Sequence, residues 1–241
     1  AALGYSILLF WSSSGGISDL FGQPFVSPGW LLVMLLHFTF SFPVVVRVIV
    51  GALLDYKVEY ERASRTLGAP PLTASRTVTF PIIKPSLIAA FTLAFARSLS
   101  ETGATFIVAG AFLNGPVFIQ TVSNQFRSGA ISEATYEGAA VFASLILIIV
   151  SLAIFTSIRV AGQRLKLPFG HGFPFFEKKL SYKKGASTRN GIAIGVFFFI
   201  VLIPSLFVAL PALQAIGTGT LAQAFSGSGV WASYWQSLFT S

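Results

Sequence analysis

Two ionisable side chains, Arg97 and Glu101, lie four residues apart within a strongly apolar stretch of this sequence. Charged residues inside a membrane-spanning segment are energetically costly, and they are candidates for function by default. Side chains at positions i and i+4 share one face of a helix, so the two charges can also pair with each other. The sequence leaves both interpretations open: an intramembrane pair that only stabilises, or charged groups on a solute pathway. In either case the side chains should face the interior of a helix bundle.

No catalytic centre can be recognised in the sequence. Its two histidines, His37 and His171, have no second His, Cys or carboxylate at metal-ligand spacing, so no metal site is predicted. No Gly-x4-Gly-Lys-Ser/Thr phosphate-binding loop occurs in the chain. We therefore predict a non-enzymatic subunit without a cofactor of its own, and any ATP that it depends on would be bound and hydrolysed by a partner.

The composition is typical of a multi-spanning membrane protein. Hydrophobic residues make up 54% of the 241 residues and charged residues only 10%, whereas soluble domains are about a quarter charged. We predict an all-α fold, a polytopic transmembrane helical bundle. Four stretches can hold a bilayer-crossing helix of about 20 residues: Trp30–Leu54, Ser86–Gly110, Gly138–Val160 and Gly191–Leu213.

The basic residues predict the orientation of these spans. Segments 55–85 and 159–190 hold 13 of the 16 Lys and Arg residues, whereas segments 12–29, 111–137 and 214–234 hold only Arg127. Cytoplasmic loops carry the excess of basic residues, so the first two segments are predicted to be cytoplasmic and the other three external. Topology accounts for the net charge of +8; the basic loops are expected to contact membrane lipid, and no nucleic-acid partner is predicted.

The first cytoplasmic segment contains a polar hairpin (residues 59–85). The stretch Tyr56–Leu67 lacks Gly and Pro and favours a helix, Gly68 suits a left-handed C-terminal cap, and Pro71 can begin a second helix. Pro81 is expected to mark the entry to the next span. The residues alone leave two alternatives: an amphipathic hairpin that lies at the membrane surface without a partner, or an element that another protein grips.

This hairpin resembles the cytoplasmic motif of importer-type ABC transporter permeases, which reads Glu-Ala-Ala, three residues, Gly, nine residues, Ile, one residue, Leu-Pro. The sequence departs from that pattern at two positions, where Arg62 replaces the Glu, with Glu61 beside it, and Ser64 replaces the second Ala. The Ala, Gly, Ile, Leu and Pro positions hold Ala63, Gly68, Val78, Phe80 and Pro81.

The resemblance implies an ABC type I importer permease in the cell (inner or plasma) membrane. Its partners would be a dimer of ATP-binding subunits and an extracytoplasmic solute-binding protein, and closure of the ATPase subunits would move the membrane helices. Arg62, Arg65 and Arg76 would make contacts at the rim of the docked hairpin. The docking surface would comprise Glu61, Arg62, Ala63, Leu67, Gly68, Ala69, Leu72, Val78 and Pro81.

A second resemblance concerns the solute. Phe95-Ala96-Arg97, followed by Glu101 and Gly103-Ala104, resembles the corresponding segment of molybdate, tungstate and sulfate permeases. It favours a tetrahedral oxyanion as the transported solute. Permeases for ferric iron, thiamine or polyamines remain alternatives, as do a passive channel and a non-transport membrane scaffold whose basic loops bind lipid.

The apolar runs at both ends of the sequence suggest a piece of a longer polypeptide, although a short natural chain is the alternative. We expect residues 1–160 to form the back half of one permease module, from the end of its third helix to its sixth. Residues 161–190 would be a cytoplasmic basic linker. Residues 191–241 would begin a second permease module in the same chain.

Overall fold

In the part of the chain that the structure describes, every regular element is helical, in agreement with the predicted all-α class. The structure is a computed structural model. It describes residues 2–13, 16–164, 174–220, 223, 233, 235, 236 and 239, so His171 lies outside the described residues. The α-helices are α1 (Ala2–Ser12), α2 (Trp30–Leu54), α3 (Val58–Thr66), α4 (Pro71–Ala74), α5 (Phe80–Ser100), α6 (Thr102–Ala109), α7 (Gly115–Arg127), α8 (Glu133–Arg164), α9 (Pro174–Ser181), α10 (Lys183–Phe197), α11 (Ile203–Leu206) and α12 (Ala209–Gly217).

Four helical stretches among the described residues are long and apolar enough to cross a membrane, as predicted. They are Trp30–Leu54, Pro71–Ser100, Glu133–Val160 and Lys184–Gly217. The first has the predicted bounds. The fourth begins well before the predicted Gly191, because the last residues of the predicted linker, 183–190, already belong to α10, and residues 174–181 of the linker form α9.

The second predicted span, Ser86–Gly110, is not a single helix. It consists of the end of α5 and the whole of α6, and Glu101 lies between them with φ −94° and ψ 77°. The residues around the break explain the interruption, because Ser, Thr and Gly are poor helix formers and hydroxyl side chains compete for backbone groups. The Ser100 hydroxyl bonds the carbonyl of Arg97, and the Thr105 hydroxyl bonds the carbonyl of Glu101.

Proline explains two π-helical segments within the spans, Ser75–Thr79 and Phe198–Leu202. In each, the residue just before a proline donates its N–H to the carbonyl five residues back: Phe80 to Ser75, and Ile203 to Phe198. A proline ring collides with the carbonyl four residues before it, and a local π-turn relieves that collision. Pro81, expected to mark the entry to the next span, lies in the first turn of α5, and α4, the π-turn and α5 form one continuous stretch.

The backbone hydrogen bonding of the fourth span is interrupted near Pro204, and a side chain of α1 bonds the backbone groups at this point. The Ser6 hydroxyl donates to the carbonyl oxygen of Pro204 at 2.6 Å and accepts from the N–H of Val208 at 2.9 Å. In a regular helix these two backbone groups would bond each other, so Ser6 is inserted between them. Phe10 of α1 packs edge-on against Phe207 in the same region, which attaches the fourth span to the N-terminal helix.

The buried core joins α1, α2, α6 and α7. Its fully buried members include Ile7, Leu32, Leu36 and Val108. Gly4 allows α1 to approach α6 closely, because a Cβ added at Gly4 would lie 2.8 Å from the Cβ of Ala104. Small residues are the usual means of such close packing between membrane helices.

The segment 111–137, predicted only as an external connection, contains the helix α7. Asn114 caps it, since its Oδ1 accepts the N–H of Val117 at 2.9 Å. Gly129 follows its C-terminus with φ +73°, and the N–H groups of Gly129 and Ala130 bond the carbonyls of Phe126 and Gln125. This helix was missed because only its cap and C-terminal glycine signal it in the sequence.

Candidate functional site

The polar hairpin has the conformation predicted for it. The helix α3 ends at Thr66, and Gly68 follows with φ +93°, a region that favours glycine. The N–H of Gly68 donates to the carbonyl of Arg65 at 3.0 Å, and the N–H of Ala69 donates to that of Ser64 at 3.2 Å. These two bonds form a Schellman motif, which closes the end of a helix and reverses the chain. The second arm then begins at Pro71.

The predicted docking residues lie in two parts of the structure, around the turn of the hairpin and beyond its second arm. Those at the turn are mostly exposed, and the side chain of Leu67 is 89% exposed although it is a large apolar group. Val78 and Pro81 lie beyond the second arm, in the π-turn and the first turn of α5. Exposure divides the same nine residues differently: Arg62, Ala63, Leu67, Gly68 and Pro81 are exposed, whereas Glu61, Ala69, Leu72 and Val78 are half-buried.

The second arm of the hairpin is bound by α9, which sequence analysis did not foresee. Glu177 Oε1 accepts from Arg76 Nε at 2.6 Å, and its Oε2 accepts from Arg76 Nη2 at 3.2 Å and from Thr73 Oγ1 at 2.5 Å. The backbone N–H of Leu72 donates to Ser181 Oγ at 3.3 Å. The hydrogen bonds from Arg76 and then Thr73 lower the pKa of Glu177. Arg76, proposed as a rim contact for a partner, is thus bonded within the chain.

The intramembrane pair is formed. Arg97 Nη2 lies 3.5 Å from Glu101 Oε2, and the guanidinium carbon of Arg97 lies 5.2 Å from the centre of the Phe40 ring. A cation at this distance over an aromatic face is attracted to it. The side chain of Arg97 is 46% exposed and that of Glu101 15% exposed, so the carboxylate is the more enclosed partner.

His37 of α2 binds hydroxyls on both sides of the break between α5 and α6. Its Nδ1 lies 2.9 Å from Ser98 Oγ and its Nε2 lies 3.3 Å from Thr105 Oγ1. The Thr105 hydroxyl also donates to the carbonyl of Glu101, so the His37 ring and the backbone at the break share this hydroxyl. The sequence predicts no metal-ligand role for His37, although a histidine within an apolar span is itself a signal of function.

The sequence matches the family described as binding-protein-dependent transport system inner membrane component over residues 4–167. The chain belongs to this family of multi-pass membrane permeases, so the predicted permease family is confirmed. The match covers α2 to α8, including the hairpin and the cluster around Glu101, and ends before α9.

Relatives within this class include permeases for sulfate and for molybdenum. The chain is 36% identical to the sulfate transport system permease protein CysT of Salmonella typhimurium over 53% of this chain and 44% of the relative. It is 40% identical to the molybdenum transport system permease protein ModB of Escherichia coli over 43% of this chain and 46% of the relative. A probable sulfate permease of Helicosporidium is 36% identical over 56% of this chain and 48% of the relative.

The chain thus spans about half the length of the curated relatives it matches. No solved structure gives a significant match.

Proposed function

We propose that this chain forms part of the membrane-spanning subunit of an ATP-driven importer, and that the polar hairpin is the element through which a separate ATPase moves the membrane helices. The observation that carries this proposal is the hairpin itself. Its turn is closed by backbone hydrogen bonds and a glycine with φ +93°, and it presents the exposed Leu67 beside small residues. A rigid turn with an exposed apolar residue suits insertion into a groove on another protein.

The hairpin is well placed to transmit motion. Its second arm continues through the π-turn into α5 without a break, so displacement of the turn acts directly on the second span. That span packs along α2 and contacts α8. Two ATP-binding subunits would bind on the cytoplasmic side, where the positive-inside rule places this loop, and a solute-binding protein would deliver the solute on the other side. ATP would be bound and hydrolysed by the ATP-binding subunits.

A tetrahedral oxyanion such as sulfate, molybdate or tungstate is the proposed solute. The relatives named for sulfate and molybdenum transport support it, as does a cation, Arg97, within the second span beside the hydroxyl-rich break. Arg97 and Glu101 are the residues that we place nearest the pathway. The division into modules at 1–160 and 191–241, joined by 161–190, stays part of this proposal.

Co-purification of the full-length permease with its ATP-binding subunit tests the docking role. Replacement Gly68→Trp should abolish association, because a side chain at this backbone conformation is strained by about 1–2 kcal/mol and the added bulk lies on the docking surface. Gly129→Trp is the matched control. Gly129 closes a turn of the same type with φ +73° in the segment predicted to be external, and neither glycine has an atom within 4 Å of an added Cβ.

We expect the Gly129→Trp permease to insert in the membrane and to bind the ATPase subunit like the parent protein. Equal binding by the Gly68→Trp protein would overturn the docking role. For the solute, uptake of labelled molybdate by the reconstituted complex should require ATP and should be reduced by excess sulfate or tungstate. Reduction by ferric iron, thiamine or polyamine instead would assign another solute, and uptake without ATP would indicate a passive channel.

A further inference from the structure

The contact between α9 and α4 has a specific chemical basis. Segment 159–190 contains eight Lys and Arg residues but a single acidic residue, Glu177. That carboxylate accepts hydrogen bonds from Arg76 and Thr73 of the hairpin, although many neighbouring cations on its own segment could have paired with it. A two-point contact between a guanidinium and a carboxylate is both strong and directional. Ser181, one helical turn further on, receives the N–H of Leu72.

The helix α9 is also firmly joined to the fourth span. Only Tyr182 separates α9 from α10, and its carbonyl accepts the N–H of Ala186 at 2.8 Å. Gly185 lies directly against the end of α9, because a Cβ added there would be 2.6 Å from the carbonyl oxygen of Lys179. Further along α10, the ring of Phe197 stacks on Phe42 of α2 with centroids 5.2 Å apart.

We propose that Glu177 is a positioning residue that latches α9 to the second arm of the polar hairpin, so that the hairpin and the fourth span move together. The latch consists of the hydrogen bonds that Arg76 and Thr73 donate to the carboxylate of Glu177, and the N–H of Leu72 donates to Ser181 beside them. A displacement of the hairpin then reaches the second span through α5 and the fourth span through α9 and α10. The latch itself is independent of the proposed function, and only its consequence for transport rests on that function.

Disulfide cross-linking in the full-length permease tests the latch. These 241 residues contain no cysteine, so once any cysteine elsewhere in the full-length permease is replaced by serine, a pair introduced as Leu72→Cys and Ser181→Cys reports on this contact alone. The control pair is Leu72→Cys with Lys179→Cys, because a position two residues away lies on a different side of the helix. We expect efficient cross-linking of the first pair and little of the second. Equal yields, or none for the first pair, would overturn the proposal.

Charge exchange provides the second test. Adding Glu177→Gln to the first pair should lower the ratio of cross-linked to free permease about tenfold, since hydrogen bonds between charged groups are lost. Arg76→Glu should do the same, and the double exchange of Arg76→Glu with Glu177→Arg should restore cross-linking. Lys178→Gln, which alters a neighbouring exposed charge on α9, is the matched control and should have no effect. Failure of the double exchange to restore the contact would reject the ion pair as its basis.

Transport by the reconstituted complex shows whether the latch matters for coupling. We expect Glu177→Gln to bind the ATPase subunit normally but to import less solute per ATP hydrolysed than Lys178→Gln does. An unchanged ratio would reject the coupling role. The outcomes separate the two proposals. If the cross-link forms but the parent permease does not bind an ATPase subunit, the proposed function fails and the latch stands. If ATPase binding is normal but the cross-link is absent, the latch alone is rejected.

Discussion

His37 Nδ1 lies 2.9 Å from Ser98 Oγ, and this hydrogen bond ties α2 to the last turn of α5, just before the chain breaks at Glu101. The other ring nitrogen of His37 reaches Thr105, which follows the break. One imidazole ring therefore fixes the relative position of α5 and α6, whose backbone hydrogen bonds are interrupted between them. We infer that His37 determines the angle at the break.

Replacing Ser98 tests this relationship. We expect Ser98→Ala to lower the stability of the folded permease in detergent by about 0.5–2 kcal/mol, because it removes a hydrogen bond between membrane helices. The measurement is the Tm of the purified protein. Ser100→Ala is the matched control, since the Ser100 hydroxyl bonds only the carbonyl of Arg97 on its own helix. Equal Tm values for the two variants would contradict the role of the His37 bond.

Local sequence patterns were sufficient to predict several features of the structure. Hydropathy predicted the four spans, and the run Leu67-Gly68-Ala69-Pro70-Pro71 predicted the turn of the hairpin, because a left-handed glycine followed by proline ends one helix and starts the next. The spacing of Arg97 and Glu101 indicated that the two side chains could pair, which was one of the two interpretations left open. In each case the determining residues are neighbours along the chain, so their physical chemistry can be read without the fold.

The features that sequence analysis missed depend on partners distant in the chain. Glu177 and Arg76 are 101 positions apart, and Ser6 is 198 positions from Pro204. Nothing in the sequence near Ser6 shows that its hydroxyl enters another helix. The break at Glu101 was missed for a different reason: its Ser, Thr and Gly residues disfavour a helix only weakly, and the hydrophobicity of the flanking residues outweighed that signal.

The Arg97–Glu101 pair should respond asymmetrically to removal of either charge. We expect Arg97→Gln to lower the free energy of unfolding by about 1 kcal/mol more than Glu101→Gln does, because removal of a partner costs most when the remaining charge is the enclosed one. Glu101 is the less exposed side chain, whereas Arg97 keeps its contact with the Phe40 ring. Chemical denaturation of both variants gives the comparison, and a larger loss for Glu101→Gln would reverse the assignment of the enclosed partner.

Ser6 should be more important than its small size suggests. Ser6→Ala would leave the carbonyl of Pro204 and the N–H of Val208 without the hydroxyl that bridges them. Unpaired buried backbone groups cost about 1–3 kcal/mol each, so we expect a clear fall in Tm. Ser13→Ala is the control just past the other end of α1, because the Ser13 hydroxyl bonds only the nearby carbonyl of Leu9, four residues back. If the two variants lose stability equally, the Ser6 hydroxyl does not stabilise the interruption in the fourth span.

The latch between Glu177 and Arg76 should persist over the whole physiological pH range. The hydrogen bonds from Arg76 and Thr73 lower the pKa of Glu177, so the carboxylate is ionised in the latched state at pH values where a free Glu is partly protonated. A lowered pKa means that the stabilisation is complete above the pKa of the free group and is lost as the pH falls through the lowered value.

A free Glu titrates near pH 4.3. Cross-linking between Leu72→Cys and Ser181→Cys, with an oxidant active in acid, should therefore be constant from about pH 7 to about pH 5 and decline only below the range in which a free Glu titrates. In the Glu177→Gln background the yield should be low throughout and show no such decline, and a yield that already falls between pH 7 and pH 5 would contradict the ion pair.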